Sequence, residues 1–447
     1  MKNILVSKKY IIKRYLYISF LLSLTSLLQA QMTLDNCLEA ARKNNLQLQQ
    51  SALQVGKARE VKAQAFTKYF PQVSIMAFGY QSLRPMVNFG IEDVDNSGLR
   101  DLLNTLYGNY GAAMGIDNHL SLFQHGVVAG VTALQPLYAG GQIVTGNRLA
   151  KLGIKAAELQ ESVAARDELW QVEEYFFLVL KLEAKRTTIA VADSMIQVIE
   201  KDVETAMQAG LAMKNDLLQV QLRQHELNAQ QQELENGIRL ARSALAQLIG
   251  ISVDSIGQLI YEENDETLPD TLQQSHRSEE DLLRLQVTAM QLKRRMELGN
   301  SLPRIAVGAG YGYTNLFDKH SHNGTIFVTM QIPISSWGET AHKMKELDYD
   351  IKLARLQEQD LTQKMRLQEN QLMDNVNTSK LKWENSQKTV DLAKENYRLS
   401  TVSYEAGLIP LSELMQAQTR WQQAENEHTD ARIEYHIALR KYMILRN

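Results

Sequence analysis

Few side chains of this sequence have the types and spacing that could do chemistry. His320 and His322 lie two residues apart and could offer two imidazole ligands to a metal ion, but no cysteine lies near them. Cys37 is the only cysteine, so no disulfide can form within the chain, and we interpret it as a small packing residue of a first helix capped by Thr33. No glycine-rich phosphate loop and no serine or cysteine nucleophile motif occurs. The sequence therefore predicts no enzyme, no catalytic residue, no cofactor and no bound metal.

The first 30 residues have the pattern of an export signal. A basic start leads into a mostly apolar stretch, Tyr15 to Leu28, and Leu28-Gln29-Ala30 offers a cleavage site. An uncleaved membrane anchor is the alternative, although the stretch is short for a spanning helix. Removal of the signal takes away five basic residues and no acidic ones, which moves the formal net charge from −3 to about −8. We therefore do not expect the mature chain to bind nucleic acid.

The chain repeats itself at an offset of 197 residues, held over nearly a hundred positions, which indicates an internal duplication. The matching positions are Pro136 with Pro333, Gly141 with Gly338, and Ala209-Gly210-Leu211 with Ala406-Gly407-Leu408. We divide the sequence into a signal peptide (1–30), a first structural repeat (31–250), a connector (251–276) and a second repeat (277–447). Acidic residues cluster in the connector, which predicts a surface segment.

A second pair of matching residues lies upstream at a larger offset. Pro71 and Pro303 are 232 residues apart, so the first repeat carries 35 residues more than the second before the offset of 197 begins. This insertion lies within about Gln81 to Gln124, and its Gly, Asn, Asp and Ser content predicts a long loop. The matching loop of the second repeat, about 315–324, is short and would hold the two histidines.

Each repeat offers one β-hairpin. Residues 304–314 and 325–331 alternate strictly and place apolar side chains on one face, 126–135 follow the same pattern, and 73–81 follow it less well. Period-two alternation is typical of a strand with two different faces, and about 10 residues suit a tilted strand that crosses a bilayer.

Four strands cannot close a barrel, and an open sheet edge in lipid would leave backbone groups unpaired. No run of 18 apolar residues follows the signal, so a chain that crosses a membrane would do so as a β-barrel. Three copies would supply 12 strands, which lies within the usual range for outer-membrane barrels. An ordinary soluble sheet packed on helices is the alternative.

A long helix follows each hairpin. Residues 143–208 contain two glycines and no proline, and residues 340–405 contain neither, so each could run for about 100 Å. Apolar residues of the second helix recur at steps of three and four, with a partial second stripe beside them. Two such stripes are typical of a helix packed on both sides, as in the wall of a tube. An isolated antiparallel coiled coil is the alternative.

A glycine is expected to end each long helix, because glycine adopts the left-handed conformation that closes a helix at little cost. These glycines are Gly210 and Gly407. Returning helices are expected over 217–248 and 411–445.

This order of elements, with hairpin, long helix, Ala-Gly-Leu turn and returning helix each present twice, resembles the TolC-like outer-membrane efflux proteins. The resemblance covers residues 31–447. Two kinds of motif carry it, the turns at 209–218 and 406–415 and the strand entries Phe70-Pro71 and Leu302-Pro303.

The resemblance implies a mainly α fold with a β-barrel portion. Duplicated long helical hairpins would form an α-barrel, and four strands per chain would contribute to a trimeric, 12-stranded transmembrane β-barrel. It implies an outer-membrane channel of a Gram-negative bacterium that extends into the periplasm and serves a tripartite efflux or type I secretion system as a passive exit duct. The implied partners are two further copies of the chain, outer-membrane lipid, a periplasmic adaptor and an inner-membrane transporter.

In the family, the hairpin tips meet the adaptor, which places Gly210, Leu211, Gly407 and Leu408 at that contact. Helix termination alone is the other interpretation of the two glycines. A non-conducting periplasmic coiled-coil adaptor or structural protein is the alternative function. Adaptors usually split a glycine-rich β domain around one helical hairpin, whereas here two hairpins recur with strands before each.

The family also gates its periplasmic end, often with acidic rings near the tip of the second long helix. Asp391 and Glu395 lie 16 and 12 residues before Gly407 and are the candidate gate. They do not align cleanly with the acidic positions of the family, and Arg398 lies nearby. A solvated helix face is the alternative.

Overall fold

The computed structural model describes residues 31–84, 87–111, 119–122, 125–262, 277–316, 319–334 and 338–446. The predicted signal peptide and the acidic part of the predicted connector lie outside the described residues.

Long antiparallel helices make up most of the described chain. In chain order these helices are α1 (Leu34–Asn44), α2 (Leu46–Thr67), α3 (Ser97–Leu106), α4 (Gln142–Gln208), α5 (Lys214–Ile249), α6 (Ser278–Asn300), α7 (Glu339–Glu405) and α8 (Leu411–Arg446). The two long helices and both returning helices confirm the sequence prediction, and α4 and α7 each have 67 residues. No helix of the described ranges combines the length and the apolar character needed to cross a membrane.

Side-chain caps fix where the first helices begin. The Thr33 hydroxyl accepts a hydrogen bond from the Asn36 amide at 3.4 Å, which confirms the predicted cap of the first helix. Asn45 separates α1 from α2, and its side-chain oxygen accepts from the amides of Gln47 and Leu48 at 2.8 and 3.0 Å. These caps satisfy N–H groups that have no partner within the helix.

Eight strands are present in the described residues. They are β1 (Met32–Thr33), β2 (Gln72–Gln81), β3 (Val87–Gly90), β4 (His119–Leu122), β5 (His125–Ala139), β6 (Leu259–Ile260), β7 (Arg304–Leu316) and β8 (Lys319–Gln331). The four long strands form one antiparallel sheet in the order β2-β5-β7-β8. The two predicted hairpins therefore join through β5 and β7, which come from different halves of the sequence.

The four-stranded sheet has one apolar, exposed face. Cross-strand pairs such as Ala309 with Ile326 and Val307 with Val328 place side chains of the same kind side by side. The members of this apolar face are Val73, Ile75, Val127, Ala129, Val131, Ala133, Ile305, Val307, Ala309, Ile326, Val328 and Met330. The opposite face carries the β7 glycines, and the Phe327 ring lies directly over Gly308. Met76 and Phe78 of β2 also lie on this second face, as the weaker alternation of β2 predicts, and so do Val128 and Leu134 of β5.

The predicted loop at 315–324 is wrong, because β7 and β8 continue through most of it. His320 and His322 lie in β8, paired with Asn315 and Tyr313. The rings of Tyr313 and His322 lie 5.3 Å apart, and the Tyr313 hydroxyl bonds to His320. The polar composition that indicates a loop here is compatible with a strand, because aromatic and imidazole rings stack across neighbouring strands.

The predicted long loop between Gln81 and Gln124 is wrong in part, because it contains β3, α3 and β4. Asn96 caps α3, and its side-chain oxygen accepts from the Leu99 amide at 3.0 Å. Four leucines follow at helical spacing, at 99, 102, 103 and 106. A cap followed by this spacing is the signal of a short amphipathic helix, and the Gly and Asn content around it concealed that signal.

The described residues form two compact units, and neither follows the sequence halves. One, the helical unit, takes residues from Met1–Lys57, Lys155–Leu285 and Arg355–Asn447, and the other, the sheet unit, from Ala58–Ile154 and Gln286–Ala354. Each unit combines segments of both predicted repeats. The internal repeat therefore gives the order of elements along the chain and does not correspond to the two compact units. The predicted domain boundaries at residues 30, 250 and 276 stay a prediction.

The largest core cluster of the helical unit joins α1, α4, α5 and α8. Phe176 and Phe177 are fully buried there, and Cys37 packs in the same cluster. Burial raises the pKa of the Cys37 thiol to about 12, so it stays protonated and unreactive at neutral pH. Ile256 and Leu259 are also in this core, which corrects the prediction that residues 251–276 are all surface. Their apolar side chains and the pairing of β6 with β1 draw that part of the segment inward.

A buried ion pair joins α4 to α8. The Glu173 side chain is only 2% exposed and accepts two hydrogen bonds from the Arg440 guanidinium, at 2.7 and 2.8 Å. Glu173→Ala should lower the free energy of unfolding by about 3–5 kcal/mol, because it breaks an ion pair whose carboxylate is buried. Chemical denaturation of the purified protein measures this loss.

The exposed Glu395–Arg398 pair, also an acid–guanidinium contact at 2.8 Å, is the matched control. Glu395→Ala should leave the denaturation midpoint unchanged, because water screens this pair. Equal effects of the two alanine variants would contradict a special role for the buried pair.

Candidate functional site

The turn at the end of α4 has a defined hydrogen-bond pattern. Gly210 has a φ of +70°, its amide donates to the Met207 carbonyl at 3.0 Å, and the Leu211 amide donates to the Ala206 carbonyl at 2.8 Å. This pair of bonds is the Schellman closure of a helix. A Cβ at Gly210 would meet no atom within 4 Å, so the positive φ, and not crowding, is the reason for glycine.

The turn at the end of α7 has the same geometry. Gly407 has a φ of +69°, its amide donates to the Tyr404 carbonyl at 2.9 Å, and the Leu408 amide donates to the Ser403 carbonyl at 2.8 Å. The two tips are therefore copies in three dimensions as well as in sequence.

The tips differ where the returning helix begins. Met213 has an amide that needs a partner, and the Asp216 carboxylate accepts from it at 2.9 Å. Pro410 occupies the matching position, and proline has no N–H to satisfy. Glu413 matches Asp216 in the repeat, but it has no backbone N–H of residue 410 to accept from.

Each tip presents a large apolar side chain to solvent. Leu211 is 84% exposed, Leu408 is 77% exposed, and Met213 is exposed beside them. The predicted contact residues are therefore accessible in the isolated chain. Met213 was missed from the sequence, although its place opposite Pro410 in the repeat marks it as a turn position.

A cleft lies between the two hairpins near their tips. It has a volume of about 1110 Å³, and its walls carry apolar side chains from both hairpins, including Val198, Leu211, Ile409 and Pro410. The acidic side chains of the cleft are Asp202, Asp216 and Glu405. No lysine or arginine is among the described residues that line it.

The pKa of Tyr404, which lines this cleft, reflects the negative charge around it. Burial raises the pKa of its hydroxyl, and the nearby carboxylates of Asp216 and Asp202 raise it further. The cleft thus combines apolar walls with a negative potential, which suits a segment that has apolar and basic side chains.

Apolar packing holds the two hairpins together beside the cleft. Ile196, Ile199 and Val203 of α4 pack with Leu411 and Leu414 of α8. Tyr397 of α7 stacks on Trp421 of α8, with ring centroids 5.9 Å apart. This core fixes the spacing between the tips.

The structure places the candidate gate residues on the exposed surface of α7. The Glu395 carboxylate pairs with Arg398 of its own helix through two hydrogen bonds, at 2.8 and 2.9 Å. The hydrogen bond from Arg398 lowers the pKa of Glu395, which keeps it ionised. Asp391 lies one turn away, with the Gln387 amide nitrogen 3.5 Å from its carboxylate.

The resemblance implies a channel, whose conductance in planar lipid bilayers Asp391→Asn and Glu395→Gln together should raise, because an acidic ring at its periplasmic end would lose its charge. Asp360→Asn is the matched control, since Asp360 also pairs with a neighbour on α7, Lys364, at 2.7 Å. Unchanged conductance of the double variant would remove Asp391 and Glu395 from the gate.

No group of three or more His, Cys, Asp or Glu side chains is arranged as metal ligands in the described ranges. His320 and His322 face Tyr311 and Tyr313, with ring separations between 5.3 and 6.3 Å. These contacts assign the histidines to an aromatic patch at one end of β7 and β8.

Known proteins resemble this chain in both sequence and fold. Residues 275–441 match the model of the family described as outer membrane efflux protein. No curated protein sequence matches the chain significantly.

Solved channels have the same fold at low sequence identity. The CmeC outer membrane channel of Campylobacter jejuni is 15% identical, with a TM-score of 0.77 over 92% of this chain and 85% of that chain. The outer membrane protein VceC of Vibrio cholerae is 15% identical, with a TM-score of 0.73 over 93% of this chain and 96% of that chain. The open-state MtrE outer membrane channel of Neisseria gonorrhoeae is 16% identical, with a TM-score of 0.65 over 93% and 89%. Residues 275–441 thus match the outer membrane efflux protein family, and the fold of the chain is that of the solved outer-membrane channels.

Proposed function

We propose that this chain is a subunit of an outer-membrane channel, a passive exit duct of a tripartite efflux or type I secretion system in a Gram-negative bacterium. One observation carries the proposal. The same chain has a sheet with an exposed, largely apolar face and two helical hairpins that end in exposed turns of the same geometry. An apolar sheet face suits lipid, and repeated hairpin tips suit a partner protein that docks in the periplasm.

The open sheet supports a homotrimer. In the described residues, β2 and β8 each pair on one side only, which leaves two edges with free backbone groups. Lipid provides no hydrogen-bond partner for such groups, so the edges must pair with other copies. Three copies would supply 12 strands and close the sheet.

The tips are the proposed contact with the periplasmic adaptor. Leu211 and Leu408 supply exposed apolar area, while Gly210 and Gly407 set the direction of the turn. The acidic cleft between the hairpins would accept basic side chains of the adaptor. An inner-membrane transporter supplies the energy in this scheme, and the duct itself catalyses no reaction.

Native mass spectrometry of the protein extracted from outer-membrane fractions tests the proposal. We expect a trimer, and we expect the same preparation to form conducting pores in planar lipid bilayers. A monomer or dimer that is absent from the membrane fraction would contradict the channel and favour the non-conducting coiled-coil protein instead.

A further inference from the structure

A second cavity of the helical unit is rich in arginine. It has a volume of about 370 Å³ and lies among α1, α4, the start of α6 and the end of α8. The arginines that line it are Arg42, Arg166, Arg277, Arg440 and Arg446. Ser162 and Ser278 also line it, with their hydroxyl oxygens 3.0 Å apart. No residue of the hairpin tips contributes.

Carboxylates neutralise two of the five arginines. Arg440 pairs with Glu173 as described above. Arg166 pairs with Glu279 at 2.6 Å and with Asp167 at 2.9 Å. These two guanidinium groups are therefore held in place by fixed negative charge.

The other three arginines give the cavity a surplus of positive charge. Among the described residues, no carboxylate lies within salt-bridge distance of Arg42, Arg277 or Arg446. Arg277 is only 7% exposed, and its guanidinium donates a hydrogen bond to a neutral group, the Gln368 amide oxygen, at 3.0 Å. The Glu279 carboxylate, which pairs with Arg166, is also near enough for the charge of Arg277 to lower its pKa. A buried guanidinium is costly unless a negative group compensates it, so an anion in the cavity would lower the free energy of the folded chain.

The start of α6 adds to the positive potential. Ser278 is the first residue of that helix and lines the cavity, so the positive end of the helix dipole lies there. Two acidic residues of the same first turn, Glu280 and Asp281, are engaged by Arg284 at 3.8 and 3.7 Å. Arg284 therefore offsets their charge near the cavity.

We propose that this cavity binds a small oxyanion with two negative charges, such as phosphate or sulfate, either free or as the charged group of a small organic ester. Arg277 and Arg446 supply planar guanidinium donors that match an oxyanion, and Ser162 and Ser278 supply hydroxyls. The volume is at the lower end of ligand pockets, about 300–1,000 Å³, which suits such an ion with water. This inference does not depend on the channel function.

Binding would tie four helices together. A ligand that binds only the folded chain raises its stability in proportion to the logarithm of the free ligand concentration. The melting temperature of the wild-type protein should therefore rise with anion concentration. In a variant that has lost the site, the melting temperature in the anion should equal that in the sodium chloride control.

The test uses the purified full-length protein, with isothermal titration calorimetry and thermal unfolding in sodium phosphate, sodium sulfate and glycerol 3-phosphate, against sodium chloride at matched ionic strength. We expect saturable binding and a rise in melting temperature with the divalent oxyanions and not with chloride. Tighter binding of glycerol 3-phosphate than of inorganic phosphate would identify an organic ester as the source of the anion.

Arg277→Gln and Arg446→Gln should each weaken binding by about tenfold or more, because each removes a charge-assisted hydrogen bond. Arg239→Gln, which alters an exposed arginine of α5 that bonds to Asn236 and does not line the cavity, should leave binding unchanged. If Arg277→Gln does not fold, Arg42→Gln at the exposed edge of the cavity replaces it, with the same expected direction. The proposal is overturned if no oxyanion binds saturably, or if the cavity variants bind as tightly as Arg239→Gln does.

Discussion

Replacing both tip leucines with aspartate, Leu211→Asp and Leu408→Asp, should abolish pump-driven export in cells. Both side chains are more than three-quarters exposed, so the change should not disturb the core of either hairpin. It removes the apolar area offered to an adaptor and adds negative charge beside a cleft that already holds three carboxylates. Apolar anchors at the centre of an interface carry most of its binding energy, so their loss should be severe.

Efflux of a fluorescent substrate, in cells that also produce the adaptor and the pump, measures this loss. Leu240→Asp is the matched control, because Leu240 is 73% exposed on α5 and far in sequence from the tip. Native mass spectrometry should find both variants in the same oligomer as the wild type. Normal export by the tip variant would exclude the tips as the adaptor contact.

Lysines on the apolar face of β8 should keep the protein out of the membrane. Ile326 and Val328 are exposed on that face, at 84% and 68%. A lysine at the lipid-facing midplane of an outer-membrane barrel costs about 2–4 kcal/mol, so Ile326→Lys and Val328→Lys together should sharply reduce assembly. The amount of the protein recovered in outer-membrane fractions measures the effect.

The same strand supplies the control for this prediction. Thr325 and Thr329 lie on the opposite face of β8, paired with Gly310 and Ala306. Thr325→Lys and Thr329→Lys add the same charges toward the proposed interior, where water can solvate them. Equal losses from the two pairs would mean that the apolar face of the sheet does not meet lipid.

Features set by neighbours in the sequence could be predicted from the sequence. The long helices follow from the scarcity of glycine and proline between the strands and the tips, and the tips follow from Gly210 and Gly407. Period-two alternation in β7 and β8 predicts the two faces of the sheet. The Thr33 cap is also local, since it acts over three residues.

Mixed local signals account for the predictions that were wrong. Around α3, the glycines and asparagines indicate a loop, but the Asn96 cap and the spaced leucines favour a helix. In β8, His320 and His322 have the composition of a loop, but their cross-strand partners on β7 supply stacking that composition does not reveal.

By itself, the sequence determined the kinds of element, their order and the two glycine turns, because hydrogen bonds within one helix or one turn depend on nearby residues. Only the tertiary structure decided which residues meet across the chain. It paired β5 with β7, set Glu173 against Arg440 across 267 residues, and gathered five arginines from three helices and the residue before α6 around one cavity. Such contacts depend on packing and burial, which act through space and leave no fixed spacing along the chain.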